Sequence, residues 1–292
     1  MDKLIDSELI VNNDGSVYHL KLHPQDIADT IFVVGDQNRV PLISKHFDKI
    51  SITKSNREFI THTGYIGKKQ ISVISTGIGV DNIDIVFNEL DILSAINLKS
   101  RTIKGTKQNF KIIRLGTTGA LSNMVNLDDI IFSRYAIGID GIPHHYKYNS
   151  NLFEKKLSHE FIQKTNWSKK LAEPYAVKAS DFLWNEMYQE EFIEGITLTM
   201  NGFYGPQGRS MRIPLNQENL IEKCNHISFK NLMVSNIEME TAGLYAFGKI
   251  FNHEVISLST VLANRATGLF SPNPSKSIDK LIKFALSKIE SF

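Results

Sequence analysis

KIIRLGTTGAL, residues Lys111–Leu121, sets one arginine and two glycines in an otherwise apolar and threonine-bearing segment. Ile112, Ile113 and Leu115 form an apolar run of the kind that makes a buried strand. Arg114 sits inside that run, and Gly116-Thr117-Thr118-Gly119 follow it. The glycines predict a tight turn, and the threonines supply hydroxyl and N–H donors. A guanidinium in a buried strand is costly unless an anion or a carboxylate meets it. Two readings follow: an anion site at the carboxyl edge of a sheet, or an arginine held by a structural carboxylate.

Working outward, Ile31–Val34 reads as a second buried strand ending at Gly35-Asp36. Val40, Ile43 and Phe47 then fall at helical spacing, with Arg39 in the first turn. Phe59–Ile66 and Gln70–Ser75 read as strands joined at Gly67-Lys68-Lys69. Thr76-Gly77-Ile78-Gly79 leads into a helical stripe over Asp81–Ile96, and Ile130–Ile137 is another strand. Lys99–Lys111, with five Lys or Arg and no acid, reads as a solvated loop. Residues 141–180 give no clear pattern. Leu215–Cys224 reads as a helix with Asn216 as its N-cap. Met239–Phe251 and Ser277–Ile289 read as helices, and Val255–Leu262 as a strand between them. Alternating strands and helices predict an α/β fold, one domain over 18–292 behind a flexible segment 1–17.

The 292 residues are 42% hydrophobic and 22% charged, as in an ordinary globular protein. A net charge of +2 gives no reason to expect nucleic acid or a membrane surface as partner. The single cysteine, Cys224, excludes an internal disulfide and a cysteine-rich metal site. No signal peptide and no apolar run of membrane-spanning length is found, so the cytoplasm is the expected compartment.

Three groups of residues carry chemistry. Arg39, Arg57 and Arg114 lie in glycine-rich or strand-edge contexts, and guanidinium forks match phosphate oxygens. Asn236-Ile237-Glu238-Met239-Glu240-Thr241 places two carboxylates where a loop is expected to become a helix. They can serve the helix dipole or grip a vicinal diol. A glycosidase acid/base pair is disfavoured, since residues two apart cannot flank a bond from opposite faces. Phe203-Tyr204-Gly205-Pro206-Gln207-Gly208-Arg209 offers an aromatic face, an amide and a guanidinium, which suit a flat heterocycle. Gly77-Ile78-Gly79 lacks a dinucleotide fingerprint and GTTGAL lacks a Walker lysine. His144-His145 is poor spacing for a metal, so a structural role is expected.

In order along the chain, HLKL (His19–Leu22), VVGDQNR, SNREF, ISTGIG, RLGTTGAL, FYGPQGR, IEMET and ANRATG resemble the nucleoside phosphorylase family. RLGTTGAL and SNREF are closest to its bacterial uridine-cleaving branch. The resemblance implies an α/β domain with a central twisted mixed sheet, partly barrel-like and flanked by helices. It implies reversible phosphorolysis of a pyrimidine nucleoside, uridine first, in salvage and catabolism. Gly35, Arg39, Arg114 and Thr117 would bind phosphate, with Arg57 from a neighbouring subunit. His19, also the neighbour's, would meet the ribose 5′-hydroxyl, and Met239 and Glu240 would hold the ribose with Glu238 nearby. Phe203, Gln207, Arg209 and Arg265 would recognise the base. Arg114, Gln207, Arg209 and Glu240 would be the catalytic set.

By the same resemblance no cofactor or catalytic metal is needed, phosphate being a substrate, and Glu58 would mark a monovalent-cation site. A dimer-based homo-oligomer, up to a hexamer, with shared sites is implied. The chain departs from the family at Gln37, at Val80-Asp81-Asn82 after the GIG turn, and in the Lys99–Lys111 insertion. Asn264-Arg265 stands where purine-cleaving members place an aspartate, which favours a pyrimidine. The alternatives are a purine phosphorylase, a nucleosidase of the same fold, or a nucleoside-binding homologue without turnover.

Overall fold

The computed structural model describes residues 3–289. By their contacts they form two compact units: the chain up to Ile113 with Phe247–Glu254, and Arg114–Ala246 with the chain from Val255.

The first unit carries β1 (Thr30–Val34), α1 (Arg39–Ser44), β2 (Lys49–Asn56), β3 (Phe59–Ile66), β4 (Lys69–Ser75), α2 (Val80–Ala95), β5 (Ile96–Asn97) and β6 (Thr102–Ile103). β1 pairs in parallel with β4, and β4, β3 and β2 form an antiparallel meander. All five residues of β1 are buried, which is why it reads as an unbroken apolar run. β2 escaped the sequence reading because KISITKSN lies mostly exposed and only Ile50 and Ile52 alternate among polar residues. α2 buries Ile83, Val86, Phe87, Leu90 and Leu93, the expected stripe.

The insertion Lys99–Lys111 is largely the exposed loop expected, but part of it is held to the protein. Within it β6 pairs back onto β5, which just precedes it, and Arg101, Lys104 and Lys107 reach carbonyl oxygens. Lys104 Nζ donates to Leu93 O at 2.9 Å and Ser94 O at 3.1 Å, the last carbonyls of α2. A cation there satisfies orphan acceptors and the negative end of the helix dipole. Lys107 pairs with Asp91 and donates to the Phe251 carbonyl. Of the segment 1–17 read as flexible, Met1 and Asp2 lie outside the described residues. The remainder is tied down: Leu9 N donates to Ile5 O at 3.0 Å, Val11 bridges Val17, and Leu9 and Val17 are buried.

His253 gives this unit a pH-dependent term. It is buried, its Nδ1 accepts from Phe110 N at 3.2 Å, and its Nε2 has no protein partner. Burial, then the Lys107 charge, pushes its pKa down to about 3. The unfolded chain takes up that proton near pH 6.5 and the folded chain does not. Stability is therefore unaffected above that pH and falls as pH drops from about 6.5 toward 3, by up to ~1.4 kcal/mol per pH unit. Urea titrations at pH 7, 6, 5 and 4 should show a shallower fall for His253→Gln than for the parent.

The second unit begins within β7 (Lys111–Ala120) and continues through β8 (Ile130–Gly138), α3 (Leu152–Thr165), β9 (Tyr175–Lys178), α4 (Asp181–Met187) and β10 (Ile193–Thr199). α5 (Leu220–Cys224), β11 (Ser228–Phe229), β12 (Leu232–Glu238) and α6 (Thr241–Ile250) follow. β13 (Glu254–Asn264), β14 (Leu269–Phe270) and α7 (Pro274–Ser287) close the chain. β10 lies parallel between β12 and β8, and β13 runs antiparallel to β8. β7 pairs back onto β12, with Gly119 opposite Ile237 and Ala120 opposite Asn236, closing a partial barrel. The fold is thus mixed α/β with a partly barrel-like sheet flanked by helices, as expected.

Three local readings are corrected. Gly116–Gly119 is not a turn: β7 runs straight through to Ala120. Leu215–Cys224 is helical only from Leu220, and the residue before it is Asn219, at φ +57°, rather than Asn216. Glu238 ends a strand, so the acids sit at a strand-to-helix junction and not after a loop. Residues 141–180 hold α3, started by the Asn151–Glu154 capping box, and β9 on the edge of β8.

Candidate active site

The chemistry in the second unit centres on Arg114. Its Nη2 lies 2.6 Å from Glu240 Oε2 and 2.9 Å from Glu238 Oε2, and its Nη1 donates to Ser259 Oγ at 3.0 Å. Arg114, Glu238 and Glu240 are all buried. Burial opposes the charge on Arg114, but the two carboxylates outweigh it and hold its pKa above the usual arginine value. The glycine beside it has a use the turn reading missed. Residues 114 and 116 share one face of β7, and the guanidinium folds back over Gly116. A Cβ there would overlap Nη1 and lie 2.6 Å from Cζ. Thr117 is half-buried on the same strand, and Thr118 donates to Ile237 O at 2.8 Å.

Glu238 is fully engaged. Its Oε1 accepts from Thr199 Oγ1 at 2.6 Å and Thr241 N at 3.1 Å. Its Oε2 accepts from Glu240 N at 2.9 Å and Thr241 N at 3.0 Å, besides meeting Arg114. The carboxylate thereby caps α6 and fixes the backbone that carries Met239 and Glu240. Ser257 Oγ lies 2.9 Å from Thr241 Oγ1, and it, Thr199 and Ser259 are members of this network to which no motif pointed. The alternation Ser257-x-Ser259 in an apolar strand was the available signal.

The FYGPQGR segment holds a short 3-10 turn over Gly205–Gln207, closed by Gly208 at φ +68°. Phe203 is exposed, and Arg209 stacks on its ring at 4.0 Å. Arg209 Nη1 donates to Phe203 O at 2.6 Å and to Gln207 Oε1 at 2.5 Å, which orients the buried Gln207 amide with Nε2 as a donor. Arg265 Nη1 donates to Gln207 O at 3.1 Å. Two guanidiniums thus converge on one glutamine, and neither has a carboxylate partner among the described residues. Burial, then the Arg265 charge, lowers the Arg209 pKa, and burial lowers that of Arg265. Such a pair is relieved by negative charge. The Asn264 side chain is spent on Ser122 O, Val125 O, Ala266 N and Thr267 N, all within 3.1 Å.

In the first unit Gly35 follows β1, and the half-buried Arg39 folds back so that Nη2 would sit 3.5 Å from a Cβ at Gly35. Arg57 and Glu58 form the two-residue turn between β2 and β3, Arg57 at φ +55° with its guanidinium 5.9 Å from the Tyr18 ring. Glu58 packs beside Gly77, and Asn82 donates to Ile78 O at 3.3 Å, in the segment where the chain departs from the family. His19 Nδ1 lies 2.7 Å from Glu89 Oε1. Glu89 also accepts from His19 N and Leu20 N, each at 2.7 Å. A carboxylate inside the apolar stripe of α2 was the overlooked signal for that contact. His144 bonds Glu173 O at 3.0 Å, and no metal-holding group of His, Cys, Asp and Glu occurs among the described residues.

With this architecture and these motifs the chain is a nucleoside phosphorylase-type enzyme, a pentosyltransferase. It belongs to the phosphorylase superfamily, whose family model matches residues 29–284. It is 28% identical to the uridine phosphorylase of Thermococcus kodakarensis over 273 residues, 92% of this chain and 85% of that one. It is 25% identical to a DeoD-type purine nucleoside phosphorylase of a Thermoanaerobacter species over 281 residues, 93% and 99% of the two chains. The crystal structure of a Trypanosoma brucei nucleoside phosphorylase, described as showing uridine phosphorylase activity, superposes with a TM-score of 0.88. That match is 27% identical and covers 97% of this chain and all of that one. No helix among the described residues is long and apolar enough to cross a membrane.

Proposed function

We propose that the chain cleaves a pyrimidine nucleoside, uridine first, by reversible phosphorolysis to free base and ribose 1-phosphate. The observation that carries this reading is the convergence of Arg209 and Arg265 on Gln207 without a carboxylate. An aromatic face, an oriented amide and two uncompensated cations suit a flat base that departs as an anion. The spent Asn264 side chain, followed by Arg265, leaves no acid there to protonate a purine.

Phosphate is held by Gly35, Arg39, Arg114 and Thr117 with Arg57 of a second copy, and approaches C1′ from the face opposite the base. Glu240 orients the ribose through its hydroxyls, Met239 packs against it, and Glu238 fixes both. The C1′–N1 bond breaks with its electron pair passing to the base, and a phosphate oxygen bonds to C1′. Gln207 and Arg209 stabilise the uracil anion, which then takes a proton from water. Positioning of the nucleophile alone supplies several kcal/mol, about 7–11 at most. A dimer-based assembly with shared sites, a cytoplasmic location in nucleoside salvage, and a monovalent cation at Glu58 belong to the same reading.

Incubation with uridine should release uracil only when phosphate is present. Phosphate-independent release would make the enzyme a nucleosidase, and faster hypoxanthine release from inosine would make it a purine phosphorylase. No turnover of either nucleoside would leave a binding homologue.

A further inference from the structure

The insertion Lys99–Lys111, which the family resemblance leaves unexplained, has a contact pattern with one consistent use. We propose that it is a clamp, and that Arg101 is a positioning residue that holds residues 4–17 and, through them, His19. The Arg101 side chain is only 13% exposed, so its donors need partners inside the protein. Nε donates to Leu4 O at 3.0 Å, and Nη2 donates to Ile5 O at 3.2 Å and to Leu9 O. Nη2 also lies 3.2 Å from Asp6 Oδ1, and Leu4 N returns a bond to Arg101 O at 2.9 Å. One guanidinium thus gathers three carbonyls of Leu4 and of the turn Ile5–Leu9. The backbone that presents it is itself fixed. Arg101 N donates to Asn97 O at 2.7 Å, Asn97 Oδ1 accepts from Lys99 N and Ser100 N, and Arg101 takes φ +59°.

From that turn the hold passes along the strap. Asn12 Nδ2 donates to Ser16 Oγ at 3.0 Å, Val17 O at 2.8 Å and Tyr18 O at 3.3 Å, closing the loop that delivers His19. Asn56 Nδ2 then holds the His19 carbonyl at 2.8 Å, and Glu89 holds its backbone N–H and ring. Glu8, Ile10 and Val17 of the strap face Asp84 and Asn88 of α2 across a groove of about 200 Å³ that His19 also lines. Anchors at both ends and a bridge in the middle fix where the imidazole sits. The consequence for catalysis rests on the proposed reading that His19 meets the ribose 5′-hydroxyl.

Two substitutions test the clamp in the full chain. Arg101→Asn removes the guanidinium with a residue that tolerates left-handed φ, and Asn12→Ala breaks the strap further along while leaving Arg101 in place. Hydrogen–deuterium exchange of amides 4–19 should rise about tenfold in Arg101→Asn, since the bonds lost are individually of that size. Arg101→Lys, which keeps charge but not the fork, should restore part of the protection. KM for uridine should rise about tenfold in both variants, while KM for 5′-deoxyuridine, which lacks the hydroxyl, stays at the parental value. Unchanged exchange overturns the clamp whether or not any nucleoside is turned over, so its failure is distinct from failure of the proposed function. Raised exchange with an equal KM change for both nucleosides overturns the positioning of His19.

Discussion

Replacing Arg114 with methionine is expected to abolish turnover and to cost about 3–5 kcal/mol of stability. The stability loss comes from what remains. Glu238 and Glu240 stay buried, their carboxylates within 2.9 Å of where Nη2 was, with no cation to balance them. The loss of turnover has a separate origin, since the proposed phosphate contact disappears with the guanidinium. Urea denaturation gives the first quantity and uracil release at saturating phosphate gives the second. The triple variant Arg114→Met/Glu238→Gln/Glu240→Gln separates them. Removing a whole buried ion cluster is often neutral, and the glutamine at 238 keeps an oxygen that can accept from the start of α6. Stability should return to within about 1 kcal/mol of the parent while activity stays lost. The Glu238→Gln/Glu240→Gln variant with Arg114 intact is the control, and if adding Arg114→Met lowers its rate no further, Arg114 serves only the fold.

The choice left open for Arg114 by the sequence, anion or carboxylate, shows where pattern reading stops. The strand around it was legible because burial along β7 leaves an apolar run. Its partners were not, because Glu238, Glu240 and Ser259 lie more than a hundred residues away and no period in the sequence links them to it. The α2 stripe and β1, β3 and β4 were read nearly to their ends for the same reason as β7. Exposed β2 was missed, and α3 was masked by Pro143, His144 and His145 before it. Gly116 was read as a turn former, whereas its small size serves a side chain on the same strand. The cations of the insertion look solvated in a linear reading, since backbone carbonyls leave no mark in sequence. Ordered motifs picked out the candidate site residues, and the network of bonds around Arg114 became visible only in three dimensions.

Gly116 supplies the second large effect, because it tests geometry with every charge retained. A methyl group there would overlap Arg114 Nη1 and lie 2.7 Å from Ser259 Oγ. Neither neighbour can step aside cheaply. The guanidinium is held by Glu238 and Glu240, and the serine belongs to buried β13. Gly116→Ala should therefore cost about 1–3 kcal/mol by overpacking. Displacing the guanidinium by about 1 Å should lower kcat/KM about a hundredfold. Gly105→Ala is the control: nothing lies within 4 Å of its added methyl, and its φ is not in the left-handed region. It should leave stability within ~0.5 kcal/mol of the parent and turnover unchanged. Initial rates over a phosphate series then locate the damage. A rise in KM for phosphate with little change for uridine means that Arg114 acts on the nucleophile. A rise for uridine alone would mean that the displaced guanidinium acts through Glu240 on the ribose, and would move the phosphate contact elsewhere.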